Sequence, residues 1–394
     1  MGKMTNRPPA RPIADAERCT SLDVIRGLAL IGVLLVNIHS DFQIPLAADL
    51  LGVRTSDLWV DHAVDLAIVG LLQFKAFTLF SLLFGAGLAV FGQRAAAQGV
   101  NPTRLLTRRL LVLLALGLCH LLLIWNGDIL TLYAVCGLLL VPLRRLPALG
   151  LAAVGVAALA LPYAVPWGVG LPAEDILRGI ATEAARIYTV GRVEDVIVFH
   201  WHETRTLILP LLVDVLPRTY GLMALGAAAW NAGVFTSPER HGRLLIGIAL
   251  VGIAVGGGAT ILSTLQIPTS LPSRLLGAAS SAPLAMGYAA GLVLILRLPA
   301  APRTAALFAA VGRMALTNYL AQSVALGVLF YGYGLGLYGR VGSAAAAAIG
   351  LSLYAAQLAF SWAWLKRYRF GPVEWIWRSV TYGRGQPMLR RVRP

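Results

Sequence analysis

The sequence predicts an all-α fold: a polytopic integral membrane bundle of about ten transmembrane helices, with the N- and C-termini cytoplasmic. Three observations predict it. Of the 394 residues, 58% are apolar and only 13% are charged, with a mean hydropathy of +0.73; a water-soluble domain cannot bury that much apolar surface, whereas a bilayer solvates it. Apolar blocks of roughly 20 residues recur, the length that crosses ~30 Å of hydrocarbon. Lys and Arg gather in alternate breaks between the blocks, as the positive-inside rule requires.

The expected spans are 22–39, 63–93, 104–124, 129–143, 148–167, 204–230, 244–263, 275–297, 304–332 and 343–365. With the first residues inside, the inner segments hold 22 of the 33 Lys/Arg and the outer loops hold 7. The formal net charge of +15 is therefore read as topology and as contact with anionic lipid headgroups, not as a nucleic-acid surface. Residues 1–20 lack the apolar core and cleavage site of a signal peptide and read as a flexible cytoplasmic tail. Residues 21–383 form one transmembrane domain, and 384–394 a basic cytoplasmic tail. Cys19, Cys119 and Cys136 form no CxxC pair, so neither a disulfide framework nor a thiolate metal site is expected. "HWHE" at 200–203 offers no HExxH, and no metal or permanently bound cofactor is expected.

The first span, "SLDVIRGLALIGVLLVNIH", carries Asp23, Arg26, Asn37 and His39. Asp23 and Arg26 are three apart and can pair. Arg26 and Asn37 are eleven apart, about 20° from three full turns, so Asp23, Arg26 and Asn37 share one inward-facing stripe. An interfacial ion pair with an interhelical Asn bond explains it, and so does a seat for an anionic cytoplasmic group such as a phosphate. The second span contains "QFKAFTLFSLLFGAG", where Lys75 marks a broken helix or a re-entrant piece. "LGLCHLLLIWNGDILTLYAV" places His120 one turn inside the outer boundary, followed by Trp125, Asn126, Gly127 and Asp128 in a tight turn. His120 with Asp128 is a candidate general base with its orienting carboxylate; Asp128 as the cap of the next helix is the plain alternative. His39, Asp41, His62, Asp65, His200, His202 and Glu203 add polarity at the same end.

The outer segment 168–203 repeats apolar residues (Ile176, Ile180, Ala184, Ile187) at helical spacing, an amphipathic helix for the membrane surface. In "GRMALTNYLAQS", Asn318 and Gln322 share a face and suit helix packing, while Arg313 is a second anion contact beside Arg26. "RFGPVEWIWRSVTYG" reads as a short amphipathic helix against the inner face, with Glu374 and Arg378 four apart and Trp375 and Trp377 at the interface.

Five stretches in order, "LDVIRGLALIGVLLVNI", "KAFTLFSLLFGAGLAV", "HLLLIWNGDILTLYAVCGLLL", "GRMALTNYLAQS" and "GPVEWIWRSVTYG", resemble the YeiB-like family of bacterial inner-membrane proteins (domain of unknown function 418) across nearly the whole chain. The opening LDxxRGxA helix also resembles the first helix of multi-span acyltransferases of the heparan-acetyltransferase and surface-polysaccharide type. In place of a clean copy of their motif, this chain has His39–Ser40–Asp41 after the first span. The resemblance implies the bacterial inner membrane, cytosolic acyl-CoA as co-substrate, and an envelope glycan, lipid or small molecule as acceptor. It assigns the catalytic role to His120 and Asp128. Donor or substrate contacts are expected from Asp23, Arg26, Asn37, His39, Lys75, Trp125, Asn126, Arg313, Asn318 and Gln322. A carrier of a small or lipid-like solute, or an assembly subunit in a homo-oligomer, is the alternative.

Overall fold

The computed structural model describes residues 20–53, 58–164, 170–265, 273–298 and 305–390. The expected tail over residues 1–20 lies outside these, save for Thr20. Helices α1 (Thr20–Asn37), α2 (Leu46–Leu50), α3 (Trp59–Leu71), α4 (Lys75–Ala97), α5 (Pro102–Leu123), α6 (Leu130–Leu140), α7 (Ala148–Ala160) and α8 (Glu174–Val190) make up the first half. The second half holds α9 (Val193–Glu203), α10 (Leu209–Asn231), α11 (Gly242–Thr264), α12 (Ser273–Ile295), α13 (Ala305–Arg313), α14 (Ala315–Phe330), α15 (Ser343–Arg367) and α16 (Pro372–Tyr382). Among the described residues the only β pairing is an isolated bridge between Tyr368 and Leu389. The protein is a multi-pass helical membrane protein.

Seven helical stretches among the described residues are long and apolar enough to cross a membrane. They coincide with seven of the ten expected spans. The other three, 129–143, 148–167 and 304–332, correspond to shorter pieces: α6 with its 3₁₀ extension Val141–Arg145, the apolar run Ala148–Ala164, and α13–α14 broken at Met314.

The second span is a broken helix, as Lys75 suggested. Leu72 to Phe74 interrupt it, and Phe74 adopts φ 61°, a left-handed conformation that costs a non-glycine residue about 1 kcal/mol or more. The Lys75 ammonium donates to the Val69 carbonyl at 3.3 Å, satisfying an acceptor that the break leaves over. The outer segment differs from expectation. It forms two helices, α8 and α9, parted at Gly191, and α9 continues through a π turn (Thr204–Ile208) into α10. Leu177, Ile180, Ala184, Ile187 and Tyr188 of α8 are buried in the largest core cluster beside Phe42, Phe199 and Tyr331, so the apolar face of α8 covers protein rather than lipid.

Small residues set the closest contacts, as is usual where helices meet in a bilayer. Gly27 of α1 lies against the Phe308 carbonyl of α13, and Gly312 of α13 against the Asp23 carbonyl of α1. Each glycine adjoins an arginine in sequence, Arg26 and Arg313, and both arginines line one cavity. Gly85 of α4 and Gly226 of α10 meet the Met223 and Leu82 carbonyls in the same reciprocal way.

Candidate functional site

A cavity of about 240 Å³ opens between α1, α4, α5, α6, α10, α13, α14 and α16. Its two ends differ in chemistry. One end is lined by Arg26, Arg94, Arg109, Arg313 and Arg378, with Asp23 and Glu374 as the carboxylates. Five guanidinium groups against two carboxylates leave an excess of positive charge in a partly desolvated space, where a polyanion is held far more strongly than in water. Each arginine is half-buried.

These arginines are oriented by specific contacts. Arg26 pairs with Asp23 at 3.1 Å. The Arg109 guanidinium lies 3.6 Å from the Trp377 ring centroid and 4.8 Å from that of Phe91. Stacked this way, it is held flat while its edge remains available for planar hydrogen bonding. One of its terminal nitrogens is buried without a hydrogen-bond partner. The Trp377 indole N–H donates to the Arg109 carbonyl at 2.8 Å, which docks α16 on α5.

Glu374 explains why α16 sits there. Its Oε1 accepts the backbone N–H groups of Leu316 (2.8 Å) and Thr317 (3.1 Å), and its Oε2 accepts the Thr317 hydroxyl. A carboxylate from α16 thereby caps the N-terminus of α14, taking up donors that have no partner within the helix. Burial pushes this carboxyl above the usual range, against the opposing pull of the Thr317 hydroxyl and the backbone amides. The expected pairing of Glu374 with Arg378 on a surface helix is replaced by this cap, and Arg378 turns to the cavity.

The other end is buried and apolar. Leu30, Val33, Leu113 and Leu130 line it with Tyr133 and Tyr319, and none of these is more than 8% exposed. Directly behind Tyr319 stands His120. The two rings are 5.1 Å apart, and the edge of Trp125 meets the imidazole at 6.2 Å.

His120 is 1% exposed and its Nδ1 lies 2.9 Å from Asp128 Oδ1. The same side chain also caps the next helix: Oδ1 accepts the Leu130 N–H at 3.0 Å and Oδ2 the Thr131 N–H at 2.7 Å, starting α6. A carboxylate on Nδ1 fixes the ring with Nδ1 as donor and leaves Nε2 as the free basic nitrogen. His120 Nε2 is buried and has no hydrogen-bond partner. Beyond it, Asn126 donates to Glu203 Oε2 at 2.7 Å and Tyr188 donates to the same oxygen at 2.9 Å.

Of the expected contacts, Asp23, Arg26 and Arg313 line the cavity, and Trp125 and Asn126 flank the His120–Asp128 pair. The others lie elsewhere. Asn37 is half-buried and does not line the cavity; eleven residues of rise put it about 16 Å from Arg26. His39 pairs with Asp65 at 3.1 Å. Lys75 lines a separate apolar cavity of about 350 Å³ between α1, α3, α4 and α12. Asn318 donates to Ser361 at 2.9 Å and Gln322 to Gln357 at 2.7 Å, joining α14 to α15. Among the described residues no group of three or more His, Cys, Asp or Glu is placed to hold a metal ion.

Tyr319, Tyr133, Arg94, Arg109 and Trp377 escaped the reading of the sequence as site residues. One signal was present: Arg109, Leu113, Gly117 and His120 recur at i, i+4, i+8 and i+11, a single face of α5.

Fold and site together define a multi-pass helical membrane protein with a basic cavity backed by a buried His–Asp pair. The chain belongs to the YeiB-like DUF418 family. The family model described as "Protein of unknown function (DUF418)" matches residues 229–384. The chain is 33% identical to the uncharacterized protein YxaH of Bacillus subtilis (strain 168) over 97% of its own length and 99% of that protein. It is 31% identical to the uncharacterized protein YeiB of Escherichia coli (strain K12) over 95% of its length and 99% of that protein.

Proposed function

We propose that this protein is an acyltransferase of the bacterial inner membrane, moving an acyl group from cytosolic acyl-CoA to a glycan, lipid or small-molecule acceptor that approaches from the outer face. The observation that carries the reading is α5, which holds Arg109 at one end of the cavity and His120 just behind the other. Eleven residues of helix separate them by about 16 Å. A phosphopantetheine arm, with about thirteen bonds from phosphorus to sulfur, reaches roughly 15 Å when extended, by the scale of a peptide backbone of equal bond count. Phosphates held by the arginines would thus bring the thioester to the level of His120.

His120 Nε2 takes the proton of the acceptor hydroxyl as its oxygen attacks the thioester carbonyl. The tetrahedral adduct expels CoA thiolate, which recovers the proton from the imidazolium, giving the acyl ester and free CoA. Asp128 stabilises the imidazolium and keeps Nε2 aimed. A carrier is the second reading, favoured by one observation: the broken second span with Lys75 lining an apolar cavity. Against it, the lining of the basic cavity stops at Tyr133 and Tyr319.

The test is equilibrium binding of acetyl-CoA and longer acyl-CoAs to detergent-purified protein, wild type beside Arg26→Ala. Saturable binding, weakened in the variant, is expected. A folded wild type that binds none of them refutes the proposal and makes solute transport the next assay.

A further inference from the structure

Resting on the acyltransferase reading, we infer that Tyr319 is a positioning residue: a hinged partition that separates the donor cavity from His120 and has to swing aside before the thioester meets the imidazole. Three observations place it in that role. The Tyr319 ring belongs to the cavity wall on one side and touches the His120 ring on the other, so it is the layer between them. His120 Nε2 is sealed, without a hydrogen-bond partner, although a base has to reach its substrate. The latch on the Tyr319 hydroxyl is weak: it accepts the Ile129 N–H and donates to the Gly127 carbonyl, each at 3.4 Å. Both distances are at the long limit for hydrogen bonds, so releasing them costs little.

The latch also ties the partition to the base, because Gly127 and Ile129 flank Asp128. On its other side Tyr319 lies one turn into α14, just after the Leu316 and Thr317 amides capped by Glu374. Glu374 shares α16 with Trp377 and Arg378 at the basic end. A displacement of α16 by a bound phosphate therefore has a continuous route through the cap to the partition. Kept shut without donor, Tyr319 shields the site from water and limits wasteful hydrolysis.

The experiment is carbethoxylation of histidines in detergent-purified full-length protein by diethyl pyrocarbonate, read at His120 by peptide mass spectrometry. His202, a surface-exposed imidazole, is the internal reference. In wild type His120 labels far more slowly than His202; in Tyr319→Ala it labels faster by an order of magnitude or more, since local opening no longer limits access. Tyr319→Phe, which keeps the ring and removes the latch, falls between, and stands in if Tyr319→Ala fails to fold. Equal His120 labelling in wild type and Tyr319→Phe, or wild-type labelling as fast as His202, overturns the partition. The labelling needs no acyl transfer, so it is separable from acyl-CoA binding: a protein that binds acyl-CoA yet labels freely loses the partition and keeps the acyltransferase reading. Where transfer is measured, Tyr319→Ala is expected to raise acceptor-independent thiol release relative to transfer, with Tyr319→Phe restoring most of the coupling.

Discussion

The two ends of the cavity solve opposite problems with the same helices. At the basic end the arginines are half-buried, Arg109 is stacked on Trp377 and Phe91, Arg26 is paired with Asp23, and positive charge exceeds negative. Behind the far, apolar end, polar groups are buried almost completely: His120 is bonded to Asp128 and Asn126 to Glu203. One end carries a surplus of positive charge; behind the other, His120 faces Asp128 and Glu203 is held by the neutral donors Asn126 and Tyr188. Position along the membrane normal follows: surplus charge is affordable near the interface, whereas deeper groups need partners.

This contrast is broken most sharply by removing the base. His120→Ala should lower acyl transfer by about 10²–10⁴-fold while acyl-CoA binding stays close to wild type, measured as thiol release beside equilibrium binding. A matching loss of binding would mean that the ends are not separate. Next in size is Arg109→Lys. The charge survives but the planar stack on Trp377 does not, so acyl-CoA affinity should fall about tenfold; unchanged affinity would make Arg109 merely structural.

Glu374→Gln sharpens the comparison through pH. Burial raises the Glu374 carboxyl above its ordinary 4.5, so the folded protein keeps this proton at a pH where the unfolded chain has lost it. Its contribution to stability is complete below 4.5 and declines as pH rises through the raised value. The unfolding temperature of wild type relative to Glu374→Gln should therefore drop with rising pH across that window, and parallel curves would contradict the burial argument. Smallest is Gln322→Ala, which removes one α14–α15 bond worth about 0.6 kcal/mol and should leave acyl-CoA affinity unmoved.

The helices were legible in the sequence because hydrocarbon imposes a length and a composition on each. The broken second span was legible too, from Lys75 in an otherwise apolar run. The His120–Asp128 pair could be read because eight residues and one turn bring the two together. The cavity could not. Its arginines come from positions 26, 94, 109, 313 and 378, and no local pattern says that five helices converge. Residues counted together among the expected contacts, Arg26 and Lys75, part company in space: one lines the basic cavity and the other a separate apolar one. Periodicity assigns a residue to a face; only packing decides what the face meets.

The reciprocal glycine contact between α4 and α10 has a consequence for biogenesis. Gln93, near the end of α4, bonds Asn231, which closes α10 and lies 138 positions later in the chain. At about 5–20 residues per second of synthesis, α4 waits in the bilayer on the order of ten seconds before its partner is made. Through that interval its small-residue groove faces lipid, or whatever insertion factor shelters it. Assembly of this protein is thus timed by translation: slowing the ribosome between α4 and α10 prolongs the exposure of a surface that the finished bundle hides.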